Sequence, residues 1–186
     1  EDNRLATLPL AIQFVTTMAA TFPAALWMKR VGRRVGFTIG QAIGVCGGLV
    51  CTYALFAARF DFLIAGSSLL GIHNAFWGYY RFAAAEAAAP EKKAKAISWV
   101  LAGGILSALA APELSKATRE LFAPIVFAGC YAAIAVLASC TMLLLQTASF
   151  VKPVSHNDGK AEPARPLKQI MGQPTFIVAA LSAMVG

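Results

Sequence analysis

Two long apolar runs are joined only by Met28-Lys29-Arg30-Val31-Gly32-Arg33-Arg34, four cations within six residues and almost no room for a loop. Each run is long enough to cross a bilayer, at about 1.5 Å of rise per residue and roughly 20 residues per ~30 Å of hydrocarbon. A short basic turn between two such runs is a cytoplasmic hairpin between spanning helices. This turn constrains the fold more than any other feature and directs the functional reading toward transport, signalling or membrane chemistry.

Composition agrees with a membrane solvent. Of 186 residues, 58% are hydrophobic and 13% charged, with a mean hydropathy of +0.65. A water-soluble domain of this size has too little interior to hide that much apolar surface. The net charge of +7 sits at the ends of the apolar runs and not along a face with interleaved aromatics. The expected partners are therefore lipid headgroups and not nucleic acid. Cys46, Cys51, Cys130 and Cys140 lie inside apolar runs without C-x-x-C spacing, which points to free thiols and to no disulfide framework, zinc site or other cofactor. No basic n-region precedes the first run, so no cleavable signal peptide is visible.

Five spans are expected, at residues 5–27, 37–56, 62–82, 97–114 and 123–146, and a sixth opens near Pro174. Twelve of the sixteen Lys and Arg residues fall in alternate connections, at the first hairpin, around Arg81 and Lys92, and from Lys152 to Lys168. The positive-inside rule puts those connections in the cytoplasm and the start of the chain outside. A preceding span is then expected beyond Glu1, and the chain reads as a fragment. Residues 151–173, with His156-Asn157-Asp158-Gly159, Pro163 and Pro166, are the one long polar stretch and read as a cytoplasmic linker. The expected organisation is thus an N-terminal bundle at 1–150, a linker at 151–173, and the first helix of a second bundle from 174 to 186.

Glycines 36, 40, 44 and 48 recur every four residues, which predicts one smooth stripe on a single helix face for close packing. The run 97–111 is short before Pro112-Glu113, so its helix is expected to continue past Glu113.

Polar groups within a span are costly unless they meet a partner or a water-filled cavity. In the third run His73, Trp77 and Tyr80 follow i, i+4, i+7 spacing and are expected to share a face, with Asn74 and Arg81 at its edge. Such a face can grip a flat aromatic solute or offer an imidazole to a soft cation; it can equally be a packed, hydrogen-bonded core. Gln13, Thr16, Thr17 and Gln41 either line the same cavity or hydrogen-bond neighbouring helices. Arg81 and Glu86, five residues apart, are expected to pair with other helices and not with each other. Ser67 and His73 are six apart, about 240° around a helix, and cannot form a nucleophile–base pair on one span, so no enzyme is indicated.

The hairpin resembles the major facilitator superfamily. The family pattern G-x-x-x-D-R-x-G-R-R has the register Ala25, Lys29, Arg30, Gly32, Arg33, Arg34 here, with the glycine and the aspartate replaced. Lys29 reverses a charge that in the family helps hold the inner gate. Ala111-Pro112 is similar to a weakened Gly-Pro motif of the fifth helix, while the fourth-helix arginine of proton-coupled members has no counterpart near Ser67 or Ser68. Leu5-Ala6-Thr7-Leu8-Pro9, Gln13-Phe14 and the segment from Tyr80 to Glu86 resemble the branch holding the bacterial copper importers of cytochrome oxidase assembly and the related riboflavin importers.

The resemblance implies an all-α, polytopic transmembrane bundle of major facilitator type, partial here, in the inner membrane of a bacterium. It implies a monomer importing copper or riboflavin by alternating access. Gln13, Gln41, His73, Asn74, Trp77 and Tyr80 would face the cavity. Lys29, Arg30, Gly32, Arg33, Arg34, Arg81 and Glu86 would form the gate, and Met184 would be a metal ligand. A non-transporting structural membrane subunit is the alternative.

Overall fold

The computed structural model describes residues 7–147, all of them helix or short connection. They belong to a compact unit, Glu1–Lys152; the second unit, Pro153–Gly186, lies outside the described residues together with the expected linker, the sixth span and Met184. Helix α1 is Leu8–Val31, α2 Arg33–Phe56, α3 Phe60–Trp77, α4 Tyr80–Ala87, α5 Lys93–Thr118 and α6 Ala128–Thr147, with a 3-10 turn at Pro90–Lys92 before α5. The helices α1, α2 and α6, and the stretch Pro90–Thr118, are long and apolar enough to cross a membrane. The 18-residue α3 carries Asp61, Ser67, Ser68, His73 and Asn74, and its polarity keeps it out of that group.

A single residue, Gly32, joins α1 to α2. Its φ of 89° and ψ of 160° lie in a region that side-chain-bearing residues avoid, and its amide donates to the Met28 carbonyl at 3.0 Å. The reversal brings Met28 over Gly36, where the thioether is almost wholly buried.

Helix α2 is the centre of the unit, packed on α3 along one side and α6 along the other, while α1 crosses α3. The glycines make this possible but do not form one stripe. Four residues turn a helix by about 400°, so a four-residue repeat drifts ~40° per step. Gly40 and Gly44 therefore meet Phe76 and His73 of α3, whereas Gly48 meets Tyr131 and Ala135 of α6. Gly47 completes the α3 side against Leu69 and Leu70. At the α1–α3 crossing Gly71 lies against Gln13 and Thr16, and the Thr17 hydroxyl donates to the Gly71 carbonyl at 2.9 Å. Thr16 and Thr21 satisfy their hydroxyls on carbonyls within α1.

Two expected spans have other limits. The third does not run unbroken to Phe82: α3 stops at Trp77, and Gly78 and Tyr79 form a turn bonded from the Tyr79 amide to the Phe76 carbonyl at 3.1 Å. Tyr79 fixes that turn by donating its hydroxyl to the Thr21 carbonyl of α1 at 2.8 Å. The last span begins at Ala128 and not at Ala123. Pro124 disfavours a helical residue before it, and Phe127 has φ 71° immediately ahead of the helix. In contrast, α5 does run past Glu113, through Pro112, to Thr118, and Glu113 pairs with Lys116 at 2.7 Å. No residue of α5 is buried in the described unit.

Candidate functional site

The polar side chains collect in two places, the basic ends of the helices and the α2–α3 seam. At the ends, the adjacent residues Arg33 and Arg34 of α2 reach in different directions. Arg33 forms a forked pair with Glu86 of α4, Nε to Oε2 at 3.0 Å and Nη2 to Oε1 at 2.5 Å. Arg34 donates to the main-chain carbonyl of Gln146 in the last turn of α6. A guanidinium there complements both an orphan carbonyl and the negative end of the helix dipole. The Gln146 carboxamide in turn donates to Thr38 Oγ1 at 3.1 Å. The ends of α2, α4 and α6 are thereby clasped at one level, the level at which charge counting put the cytoplasm. Lys29 and Arg30 are exposed and form no ion pair among the described residues. Arg81 lies over the ring of its neighbour Phe82, 4.9 Å from the centroid, and not in a pair with Glu86.

Along the seam, successive turns of α3 and the start of α4 lie on successive turns of α2. Gly66 is against Cys51, Leu70 against Gly47, His73 against Gly44, Phe76 against Gly40, and Tyr80 against Phe37. His73 Nδ1 is 2.9 Å from the Gly40 carbonyl oxygen. A carbonyl only accepts, so Nδ1 carries the hydrogen of this bond. Gln41 Nε2 donates to the Tyr80 hydroxyl at 2.7 Å, and Tyr80 stacks on Phe37 with centroids 4.3 Å apart and planes 15° from parallel.

The seam thus brings His73 and Tyr80 onto α2, where Tyr80 meets Gln41. It does not bring Trp77 with them. The turn at Gly78 and Tyr79 interrupts the helix between Trp77 and Tyr80, and Trp77, on the same helix as His73, is 68% exposed. Asn74 and Gln13 are half-buried, with side chains that make no hydrogen bond among the described residues. Sequence reasoning missed Phe37, which supports Tyr80, Gln146, which receives Arg34, and Thr38, which accepts from Gln146. Phe37 had a signal, since it stands one turn before Gln41; the Arg34 contacts span 112 residues and had none.

The described residues thus form a multi-helix unit of membrane-spanning type with a clasped basic end and a polar seam. The sequence pattern of the Major Facilitator Superfamily matches residues 2–186, and the chain belongs to that family of transporters. It is 33% identical over 177 residues to a riboflavin transporter, RfnT, of Brucella anthropi. That similarity covers 95% of this chain but 44% of the relative, so the chain spans less than half of the relative's length. No solved structure matches the chain.

Proposed function

We propose that the complete protein imports riboflavin, or a solute of flavin type, across the plasma membrane of a bacterium, by alternating access between two helical bundles around a midplane site. The observation that carries this reading is the 33% identity with a riboflavin transporter along almost the whole chain. The seam supports it. A flavin is a flat, polar-edged heterocycle, and His73, Gln41 and Tyr80 combine aromatic surface with free hydrogen-bonding atoms. Asn74 and Gln13 are the nearby polar side chains left open to join them, and Trp77 adds an exposed indole. In the gate, Arg33 and Arg34 hold their own bundle together, while Lys29 and Arg30 are exposed and form no ion pair among the described residues.

Copper import has less behind it. Among the described residues no group of three His, Cys, Asp or Glu side chains could hold a metal ion, and the relative is named for riboflavin.

The test is growth of a riboflavin auxotroph, without its own importer, that expresses the complete protein at limiting riboflavin. Rescue with uptake of labelled riboflavin supports the reading. Absence of rescue at confirmed membrane abundance overturns it, and a rise in cell-associated copper in the same cells would replace riboflavin with the metal.

A further inference from the structure

We propose that Gln41 and Tyr80 together read an amide edge on the solute, an adjacent N–H and C=O in a planar ring. This deepens the riboflavin reading and rests on it.

A carboxamide holds donors and an acceptor, and a phenol holds one donor and an acceptor. Their contact at 2.7 Å has Gln41 Nε2 donating to the Tyr80 oxygen. The Tyr80 hydrogen and Gln41 Oε1 are then left without partners among the described residues, one a donor and one an acceptor. Turning the carboxamide over exchanges the two roles but preserves the complementarity: the free phenol group and the free carboxamide atom remain of opposite kind.

Gln41 is only 6% exposed. Yet no wholly buried side-chain nitrogen or oxygen in the described residues lacks a partner, so the free oxygen of Gln41 is not wholly enclosed by them. Tyr80 is stacked on one face by the fully buried Phe37 and is itself part-buried. A donor–acceptor pair held by a stacked aromatic ring fits a flat ring with a lactam or imide edge, and the flavin ring system carries an imide with N–H between two carbonyls. The edge is selected because a mismatched one would leave both protein groups unpaired.

The experiment compares uptake of riboflavin and of N3-methylriboflavin by the complete transporter. Wild type is expected to show a KM for the methylated compound about tenfold or more above that for riboflavin, the worth of one well-placed hydrogen bond. Gln41→Leu and Tyr80→Phe are expected to raise KM for riboflavin by about the same factor and to change that for the methylated compound little, so the discrimination collapses. Equal handling of the two compounds by wild type overturns the proposal without needing any variant to fold. Discrimination retained in both variants, at normal membrane abundance, overturns it also. If wild type takes up no riboflavin, the transport reading itself fails.

Discussion

Arg33 and Glu86 stand 53 residues apart in sequence and meet as a two-pronged ion pair across the ends of α2 and α4. The carboxylate is more than half exposed and the guanidinium a quarter exposed. Its contribution to stability is accordingly small, about 1 kcal/mol or less. Its geometric effect is larger, because it holds the short α4 that follows the break in the third span.

Exchanging the charges tests that role. Arg33→Glu and Glu86→Arg singly are expected to lower uptake by the complete transporter several-fold, and the double exchange to recover most of it. The coupling, read from thermal unfolding of the purified protein in detergent, should be about 0.5–1 kcal/mol. Additive losses with no recovery would show that the pair is incidental.

Gly32 is held by backbone conformation and not by space, since nothing lies within 4 Å of where its side chain would begin. Its dihedrals fall outside the left-handed region that asparagine tolerates. Gly32→Ala and Gly32→Asn should therefore be about equally damaging, each costing roughly 1–3 kcal/mol. A clear advantage for asparagine in melting temperature would contradict the geometry.

Gly48 presents the opposite case. A methyl group there would lie 2.9 Å from the Ala135 nitrogen and the Tyr131 oxygen, both main-chain atoms of α6 that cannot step aside. Gly48→Ala is expected to cost about 1–3 kcal/mol. Gly78→Ala, at a residue with helical dihedrals and open space, should be within about 1 kcal/mol of wild type or slightly stabilising. Comparable melting temperatures for the two variants would argue against the α2–α6 contact.

His73 packs on Gly44 so closely that a methyl there would fall 2.6 Å from Nδ1. Gly44→Ala should displace the ring and break its bond to Gly40. In a His73→Ala background the same change should be better tolerated, giving a non-additive cycle of about 1 kcal/mol. Strict additivity in unfolding measurements would mean that the imidazole is not seated as described.

Much of this architecture was legible in the residues. The hairpin, the alternation of charged loops and the extension of the fifth helix past Glu113 followed from length, charge and the cost of bare backbone in lipid. What was not legible has local causes. Gly78 and Tyr79 keep near-helical dihedrals, and a lone glycine with no proline beside it does not by itself mark the break between Trp77 and Tyr80. The glycine repeat had the right spacing for close packing, but its drift around α2 serves two neighbours, and which neighbours these are depends on tertiary contacts. For the site, the residue types in the third span were readable while their directions were not.

The one-residue link at Gly32 bears on biosynthesis as well as on the folded state. The spans α1 and α2 cannot enter the bilayer separately, because no slack exists to leave one threaded while the other waits. They must leave the translocation machinery as a pair, with the four cations between them retained on the side of synthesis. Chains halted just after Phe56 should therefore already have both ends of the hairpin outside and Lys29 shielded from external reagents, and inserting a few flexible residues at Gly32 should loosen that pairing before it harms the finished fold.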